Sequence, residues 1–245
     1  MPTIFLSPSA QEFNPYAIGG SEEQYMNLLA DAMEPYLRST GIQFTRNNPD
    51  ETLSQIIQQS NAGNYDLHLA LHSNAGPESL AGRLHGTDVY YYTPSAEGRR
   101  AAEIIADNFR NIALYPDRVR AVPTTTLAEL RRTRAPAVLI EVAYHDNVPD
   151  ANWIVDNLQV IARNLVQSLA QYFGIPFIEA QPARTGTVST NGGELNIRSR
   201  PNMEATVLTT APDGASIEVL GSWQNWYVVN YNGTVGYANS AYITL

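Results

Sequence analysis

The stretch Asp66-Leu67-His68-Leu69-Ala70-Leu71-His72-Ser73 is an apolar run of strand length that ends in a histidine and a loop. Thr87–Tyr92 and Ala137–Tyr144 are two further runs of this kind, and continuous apolar runs are typical of strands buried on both faces. Helical patterns lie between them along the chain. Strands that alternate with helices predict an α/β fold built as a sandwich.

The remaining elements of this part follow from periodicity and from helix-capping signals. Ser21 is a suitable N-cap followed three residues later by Gln24, and Gly41 is a suitable C′ residue. Apolar residues between them repeat at three- and four-residue spacing, which predicts one buried helix face. The expected helices are 21–38, Leu53–Ala62, 95–113 and Asp150–Phe173, and the further expected strands are Thr3–Leu6 and Ile42–Arg46.

Composition excludes several classes of function. The 245 residues carry a formal net charge of -9, which disfavours a nucleic-acid partner. Cysteine is absent, which excludes thiolate metal sites and cysteine nucleophiles, and every basic residue is arginine, which excludes a Schiff-base lysine. No apolar run approaches the roughly 20 residues of a membrane span, and the first nine residues do not resemble a signal peptide.

The chain changes character near residue 180. Residues 175–185 contain two prolines without periodicity and are predicted to be a linker between residues 1–174 and residues 186–245. Short strand-like runs follow, separated by turn pairs that favour positive φ. About 60 residues of this kind predict a small all-β barrel. The turn pairs are Asn191-Gly192, Asp213-Gly214 and Asn232-Gly233.

The tail resembles a bacterial SH3 (SH3b) domain. The resemblance is carried by Leu195–Pro201, Trp226-Tyr227-Val228 and Gly236-Tyr237-Ala238, and it covers nearly all of residues 186–245. It implies binding to the cell wall. Four aromatic residues are open to two readings, as a ligand-binding surface or as the core of a small barrel. They are Trp223, Trp226, Tyr227 and Tyr231.

Two polar residues end apolar strands in the first part. His72 lies at the carboxyl end of its strand, where α/β sheets place ligands. Glu141 ends another strand, and burial would raise the pKa of this carboxyl group toward a value suited to a general base. Glu23, in the first turn of helix 21–38, has a simpler explanation in stabilisation of the helix dipole.

Together these residues make the first part resemble the zinc-dependent N-acetylmuramoyl-L-alanine amidases of the Amidase_3 type. The resembling stretches are 23–28, 66–75, 130–131 and 136–141, closed by Asn147. The resemblance implies an α/β/α sandwich around a mostly parallel or mixed sheet. It also implies Zn²⁺ held by Glu23 and His72, with Glu22 as the alternative to Glu23, and Glu141 as the catalytic base. The substrate implied is peptidoglycan, cut between N-acetylmuramic acid and L-alanine.

One departure leaves the third zinc ligand open. The family's first ligand is a histidine in a loop after the first strand, whereas here that loop is Ser7–Glu12 and contains none. A catalytic zinc takes three protein ligands. His145 is the favoured replacement and Gln11 the second choice. Glu12 and His68 are weaker candidates. His68 lies four strand residues from His72, which is too far for both to bind one ion on a straight strand.

Substrate contacts and alternatives complete the prediction. Arg131 and Arg132 are candidates to bind a peptide carboxylate, and Asn74 is a further candidate substrate contact. There are two alternatives. One is a degenerate amidase without metal that acts as a wall-binding or structural protein, and the other is a hydrolase that cuts within the stem peptide. The expected place of action is the bacterial cell wall, reached after leader removal, by phage release or in the spore. The oligomeric state stays open.

Overall fold

The computed structural model describes residues 1–245 and contains two sheets. The first sheet has strands β1 (Thr3–Pro8), β2 (Gln43–Arg46), β3 (Leu67–Asn74), β4 (Thr87–Tyr92), β5 (Val119–Thr124) and β6 (Ala137–Tyr144). The helices are α1 (Glu22–Thr40), α2 (Leu53–Ala62), α3 (Ala96–Phe109), α4 (Ala128–Arg132), α5 (Val148–Asp156) and α6 (Leu158–Phe173). None of the six helices combines the length and apolar character that a membrane span needs.

The first sheet is mixed, with strand order β2-β1-β3-β6-β4-β5. Strands β1, β3 and β6 run parallel to one another, whereas β4 pairs with β6 in the antiparallel sense. The central strands β3 and β6 are buried along most of their length, as their continuous apolar sequences predict. The α/β fold with a mixed sheet is therefore confirmed.

The caps predicted for α1 are present. The Ser21 hydroxyl accepts a hydrogen bond from the backbone N–H of Gln24 at 3.1 Å, which satisfies one of the free N–H groups of the first turn. At the other end Gly41 has φ +80°, and the N–H of Ile42 bonds to the carbonyl of Leu37. This is the Schellman arrangement, which glycine adopts without steric cost.

Three elements differ from the prediction. Strand β5 and the short helix α4 were not predicted. Strand β5 contains Pro123, which is tolerated because this strand is at the edge of the sheet. The expected helix Asp150–Phe173 is two helices, α5 and α6. Asn157 separates them, and its side-chain amide donates to the carbonyl of Trp153 at 2.8 Å, which is local competition for a helix carbonyl.

The second sheet contains the strands of the tail, all paired antiparallel in the order β13-β7-β10-β11-β12-β8-β9. Trp226 is buried against Val228 and Tyr237, while Trp223, Tyr227 and Tyr231 are partly buried against the core. Packing within the tail therefore covers most of the surface of these four aromatic side chains. The strands are β7 (Arg184–Val188), β8 (Glu194–Arg198), β9 (Val207–Pro212), β10 (Ser216–Trp223), β11 (Trp226–Tyr231), β12 (Thr234–Asn239) and β13 (Ile243–Thr244).

The segment 175–185 makes specific contacts with the tail and with the last residues of α1. Ile178 is 3 % exposed and belongs to the same apolar cluster as Trp226. Its backbone exchanges two hydrogen bonds with the Thr40 hydroxyl, at 3.2 and 3.3 Å, and the N–H of Gln181 donates to Ser39 Oγ at 2.9 Å. The prediction of a linker rested on two prolines and missing periodicity, and neither signal reveals these contacts.

The chain forms two compact units that do not follow a single division of the sequence. One unit contains Thr3–Met33 and Phe44–Tyr172. The other contains Met1–Pro2, Glu34–Gln43 and Phe173–Leu245, so it includes the last turns of α1 as well as the tail. The division into residues 1–174, 175–185 and 186–245 remains a prediction.

Candidate active site

The candidate site lies where β3 and β6 end, beside a cavity of about 770 Å³. His72 and Glu141 are paired residues in the register of these parallel strands, so their side chains point to the same face. Both line the cavity, together with the loop that follows β1. The strand ends predicted from the sequence to carry the site are therefore neighbours.

Glu22, the first residue of α1, contacts His72. Its Oε1 lies 2.8 Å from Nδ1 of His72, and Glu22 is 1 % exposed. The Gln11 amide nitrogen lies 3.4 Å from the same ring nitrogen. The Asn14 amide donates to Gln11 Oε1 at 3.0 Å and to Glu22 Oε2 at 2.7 Å, which ties these two side chains together. Gln11, Glu22 and His72 thus converge on one point.

A second buried carboxylate lies on the other side of His72. Oε2 of Glu129 is 3.7 Å from Nε2 of His72, and Oε1 of Glu129 is 2.9 Å from Nε2 of His68. Ser7 donates its hydroxyl proton to Glu129 at 2.5 Å, and Ser60 Oγ lies 2.9 Å from Nδ1 of His68. This network accounts for the polar groups of the fully buried His68 and places a carboxylate behind His72.

The carboxylates set the protonation of the site. Burial alone would lower the pKa of His72, but nearby Glu129 and the hydrogen bond to Glu22 outweigh it and raise that pKa well above 6.5. Burial would raise the pKa of Glu22, but the hydrogen bond and charge of His72 hold it below 4.5. Glu129 likewise has a lowered pKa, because hydrogen bonding to His68 and His72 outweighs its burial.

Glu141 is in the opposite situation. Its Oε2 is buried and has no hydrogen-bond partner in the protein. Burial raises its pKa from 4.5 to about 7; the positive charge of His72 opposes this increase, and the charges of Glu22 and Asp88 add to it. A carboxyl group with this pKa exchanges protons near neutral pH, as a general base must.

Whether zinc fits this site depends on which side chains are available as ligands. Nowhere in the chain are three or more His, Asp or Glu side chains grouped so that they could hold a metal. Glu22 and His72 are two ligands of the kinds that zinc takes, and the side-chain amide of Gln11 lies beside them. The residues therefore offer zinc two ordinary ligands, with the neutral amide of Gln11 as the third group beside them.

The other residues predicted for the site are placed as follows. Glu23 lines the cavity, but its carboxylate accepts a hydrogen bond from Asn27 at 3.1 Å and makes no contact with His72. Glu12 also lines the cavity and is exposed. The first turn of α1 therefore directs Glu22, rather than Glu23, at His72, because successive helix residues point in directions about 100° apart.

The structure does not bring His145 into the group around His72. Its Nδ1 lies 2.7 Å from the Ser73 carbonyl oxygen and 3.1 Å from Ser73 Oγ, and its ring stacks on Tyr16 at 5.3 Å. Its backbone carbonyl accepts from the N–H of Ala17. His145 is thus buried as a connection between two loops, and Gln11 occupies the position beside His72 instead.

The residues predicted to contact substrate lie outside the cavity wall. Asn74 uses its side-chain oxygen to accept the N–H of Ala75 at 2.9 Å. Arg131 and Arg132 are exposed on α4. None of the three lines the 770 Å³ cavity.

Sequence reasoning missed Glu129 and the role of His68. Glu129 lies in a helix of five residues, which is too short for periodicity to reveal a buried face. The available signal was His68 itself, because a histidine between apolar strand residues needs a buried partner.

A protein-family model described as N-acetylmuramoyl-L-alanine amidase matches residues 5–171 of the chain. A second model, for the bacterial SH3 domain, matches residues 193–244. The first match covers more than half of the chain. It includes every residue of the cluster around His72.

Two curated relatives are similar to the first part of the chain. One is the N-acetylmuramoyl-L-alanine amidase LytC of Bacillus subtilis, 29% identical over 157 residues, which are 61% of this chain and 31% of LytC. The other is the probable cell wall amidase LytH of Staphylococcus aureus, 27% identical over 154 residues, which are 62% of this chain and 50% of LytH. The matches therefore span about a third and a half of these relatives.

Solved structures share the fold. The amidase AmiC2 of Nostoc punctiforme aligns with a TM-score of 0.61 at 16% identity, over 71% of this chain and 97% of that chain. The catalytic domain of the CD27L endolysin targeting Clostridia difficile aligns with a TM-score of 0.58 at 22% identity, over 70% of this chain and 98% of that one. With the family match over residues 5–171, the chain belongs to the N-acetylmuramoyl-L-alanine amidase family and carries a bacterial SH3 domain in its tail.

Proposed function

We propose that this chain hydrolyses the amide bond between the lactyl group of N-acetylmuramic acid and L-alanine in peptidoglycan. The observation that carries the proposal is the pairing of Glu141, which has an unpartnered buried oxygen, with His72, which is next to it in the register of two parallel strands. Family membership and the names of the relatives support it.

Glu141 acts as the general base in this proposal. Its unpartnered Oε2 accepts a proton from the attacking water, and the carboxyl group then delivers that proton to the leaving amine of L-alanine. A pKa of about 7 suits both transfers, because the group is then neither strongly acidic nor strongly basic at neutral pH. The cavity beside it, about 770 Å³, has room for the substrate on both sides of the amide bond.

We propose further that Glu22 and His72, with the side-chain amide of Gln11 as the weak third group, hold a zinc ion. When bound, zinc polarises the substrate carbonyl and lowers the pKa of water. Asn14 orients Gln11 and Glu22 through its two hydrogen bonds, and Glu129 faces Nε2 of His72, which leaves Nδ1 directed at Glu22. Such carboxylate partners fix the tautomer of a ligating histidine.

The SH3 domain is proposed to hold the protein on the cell wall, where the substrate is. A shallow cavity of about 270 Å³ on this domain is lined by polar side chains together with Met203, Trp226 and Tyr242. Tyr242 is 47 % exposed and Met203 65 %, so apolar surface remains there for a wall peptide.

Digestion of purified peptidoglycan tests the activity. We expect new L-alanine amino termini without new reducing sugar ends, and mass spectrometry should show intact stem peptides released from glycan strands. Glu141→Gln, which keeps the shape of the side chain, should abolish the release. Fragments cut inside the stem peptide would contradict the proposed bond and indicate a peptidase.

A second candidate function is binding of the wall without hydrolysis. It is favoured by the lack of a third charged ligand beside Glu22 and His72. This function predicts that the protein sediments with peptidoglycan, binds no zinc after dialysis, and releases no product. Zinc-dependent release of product would exclude it.

A further inference from the structure

A second cavity lies on the face of the first sheet that carries Glu141. Its volume is about 410 Å³, and its polar lining includes Arg83, Arg118, Arg120, Asp88 and Asp117. Three arginines against two aspartates leave it positively charged, in a chain with a formal net charge of -9. None of these residues was a candidate site residue in the sequence.

The strand register connects this cavity to the catalytic cluster. His72 pairs with Glu141, Glu141 pairs with Asp88, and Asp88 pairs with Arg120, across the four neighbouring strands β3, β6, β4 and β5. Directly paired residues place their side chains on the same face. Neighbouring strands are about 4.8 Å apart, so the Cα atom of Arg120, two strands away, lies roughly 10 Å from the Cα atom of Glu141.

The arginines are available to a ligand. Asp88, which is 5 % exposed, accepts hydrogen bonds from Nε and Nη2 of Arg120 at 2.9 and 3.1 Å. This fixes the guanidinium group while its side chain stays 66% exposed, so its remaining N–H groups face solvent. Arg83 and Arg118 are exposed, and neither has an ion-pair partner.

We propose that this cavity binds a free carboxylate of the stem peptide, close to the amide bond that is cut. The inference rests on the proposed function for the identity of the substrate. In that substrate the lactyl carboxyl group is already in the scissile amide, so the fixed negative charges lie on the peptide. Two residues of extended chain span about 7 Å, which brings the carboxylate of the second peptide residue within reach of Arg120.

Guanidinium groups suit this ligand because they bind carboxylates through two parallel hydrogen bonds. The pairing of Arg120 with Asp88 supplies one prepositioned donor set, and Arg83 and Arg118 supply positive charge without a competing partner. Amidation of the peptide carboxylate would remove the negative charge, so this cavity would make the protein selective for peptidoglycan with the free acid.

Binding of two muropeptides that differ in one group tests the inference. The ligands are N-acetylmuramoyl-L-alanyl-D-isoglutamate, with a free α-carboxylate, and N-acetylmuramoyl-L-alanyl-D-isoglutamine, its α-amide. In both ligands the γ-carboxyl group is blocked as a methylamide, as the next peptide bond blocks it in the stem peptide. Calorimetry with the full-length Glu141→Gln variant measures affinity without hydrolysis. We expect the acid to bind about tenfold more tightly, as expected for one charge-assisted contact.

Arginine variants locate the effect. Arg118→Ala in the same background should reduce the acid's advantage to about twofold or less while leaving the affinity for the amide unchanged. Arg83→Ala should act in the same direction and serves if Arg118→Ala does not fold. Arg134→Ala removes an exposed arginine outside this cavity, and the tenfold preference should persist in it.

Equal affinities of the two ligands for the parent protein would overturn the inference, and so would a preference that survives in both cavity variants. Failure of the proposed hydrolysis is a separate result, because it shows as absence of product from the protein with Glu141 intact. A protein that discriminates acid from amide but releases no product would retain the binding site and lose the amidase activity.

Discussion

Oε1 of Glu22 lies 2.8 Å from Nδ1 of His72, so the glutamate of α1 that contacts this histidine is the first residue of the helix and not its neighbour Glu23. The two glutamates give a matched pair of variants. Glu22→Gln should lower zinc affinity and peptidoglycan hydrolysis by about 100-fold or more, because it removes a charged ligand. Glu23→Gln should change both by less than about threefold. Zinc titration and a turbidity assay measure the two effects, and equal losses in both variants would exclude this assignment.

The third ligand position can be tested by restoring a histidine. Gln11→His places an imidazole where the amide of Gln11 approaches His72, and we expect zinc to bind at least tenfold more tightly. Glu12→His adds the same group one residue away, on an exposed side chain, and should leave the affinity unchanged. Competition with a zinc chelator gives the two dissociation constants. Equal tightening by both variants would show that the position of Gln11 is not special.

The pKa of Glu141 predicts the acid side of the activity profile. Because burial raises this pKa to about 7, the fraction of base that can accept a proton should fall tenfold for each pH unit below that value. We expect kcat/KM to fall on acidification, with an apparent pKa near 7. Glu141→Gln should reduce kcat by about 10² to 10⁴. A profile flat between pH 5 and pH 8 would rule out Glu141 as the base.

The same group should reduce stability at higher pH. Its pKa rises from 4.5 in the unfolded chain to about 7 in the folded protein, so the folded state binds more protons between these values. Stability therefore falls as pH rises through this window, by about 3 kcal/mol at most. In EDTA, Glu141→Gln should unfold at a higher temperature than the parent at pH 8 and at nearly the same temperature at pH 4. A variant less stable than the parent at pH 8 would contradict this.

Glu129 should act on activity through the orientation of His72. Glu129→Gln keeps the side-chain volume but removes the charge that faces Nε2 of His72 and His68. We expect a 10- to 100-fold loss of zinc affinity and a changed ¹⁵N signature of the His72 ring, which reports its tautomer. Glu97→Gln, on the exposed face of α3, is the control and should change neither quantity. A loss of affinity without any change at the His72 ring would assign Glu129 a structural role only.

Much of the fold follows from local signals. Apolar runs locate the central strands, and Ser21 and Gly41 locate the ends of α1, because each of these features acts through its immediate neighbours. Strand β5 was missed because its pairing with β4 depends on residues distant in sequence, and its proline argues against a strand. The break at Asn157 was missed because the apolar periodicity continues across it.

The site was predicted where it depends on strand ends and missed where it depends on helix phase. His72 and Glu141 lie toward the carboxyl ends of adjacent parallel strands, and the register then brings them together. The choice between Glu22 and Glu23 depends on how the preceding loop joins α1, where the N–H of Glu22 bonds to the carbonyl of Asn14. The pairing of Glu129 with His68 joins residues 61 positions apart, which no local pattern predicts.

The attachment of Ile178 has a consequence for protein engineering. Its side chain completes the apolar cluster around Trp226, and its backbone is held by Thr40. A chimera that transplants only residues 186–245 would lack both Ile178 and Thr40 and would expose the cluster to water. The expected loss of stability is comparable to that of a large-to-small core substitution. A transplanted segment should begin at Phe173 and should carry a substitute for the end of α1. The compact unit includes both of these parts, whereas the match to the bacterial SH3 domain covers only residues 193–244.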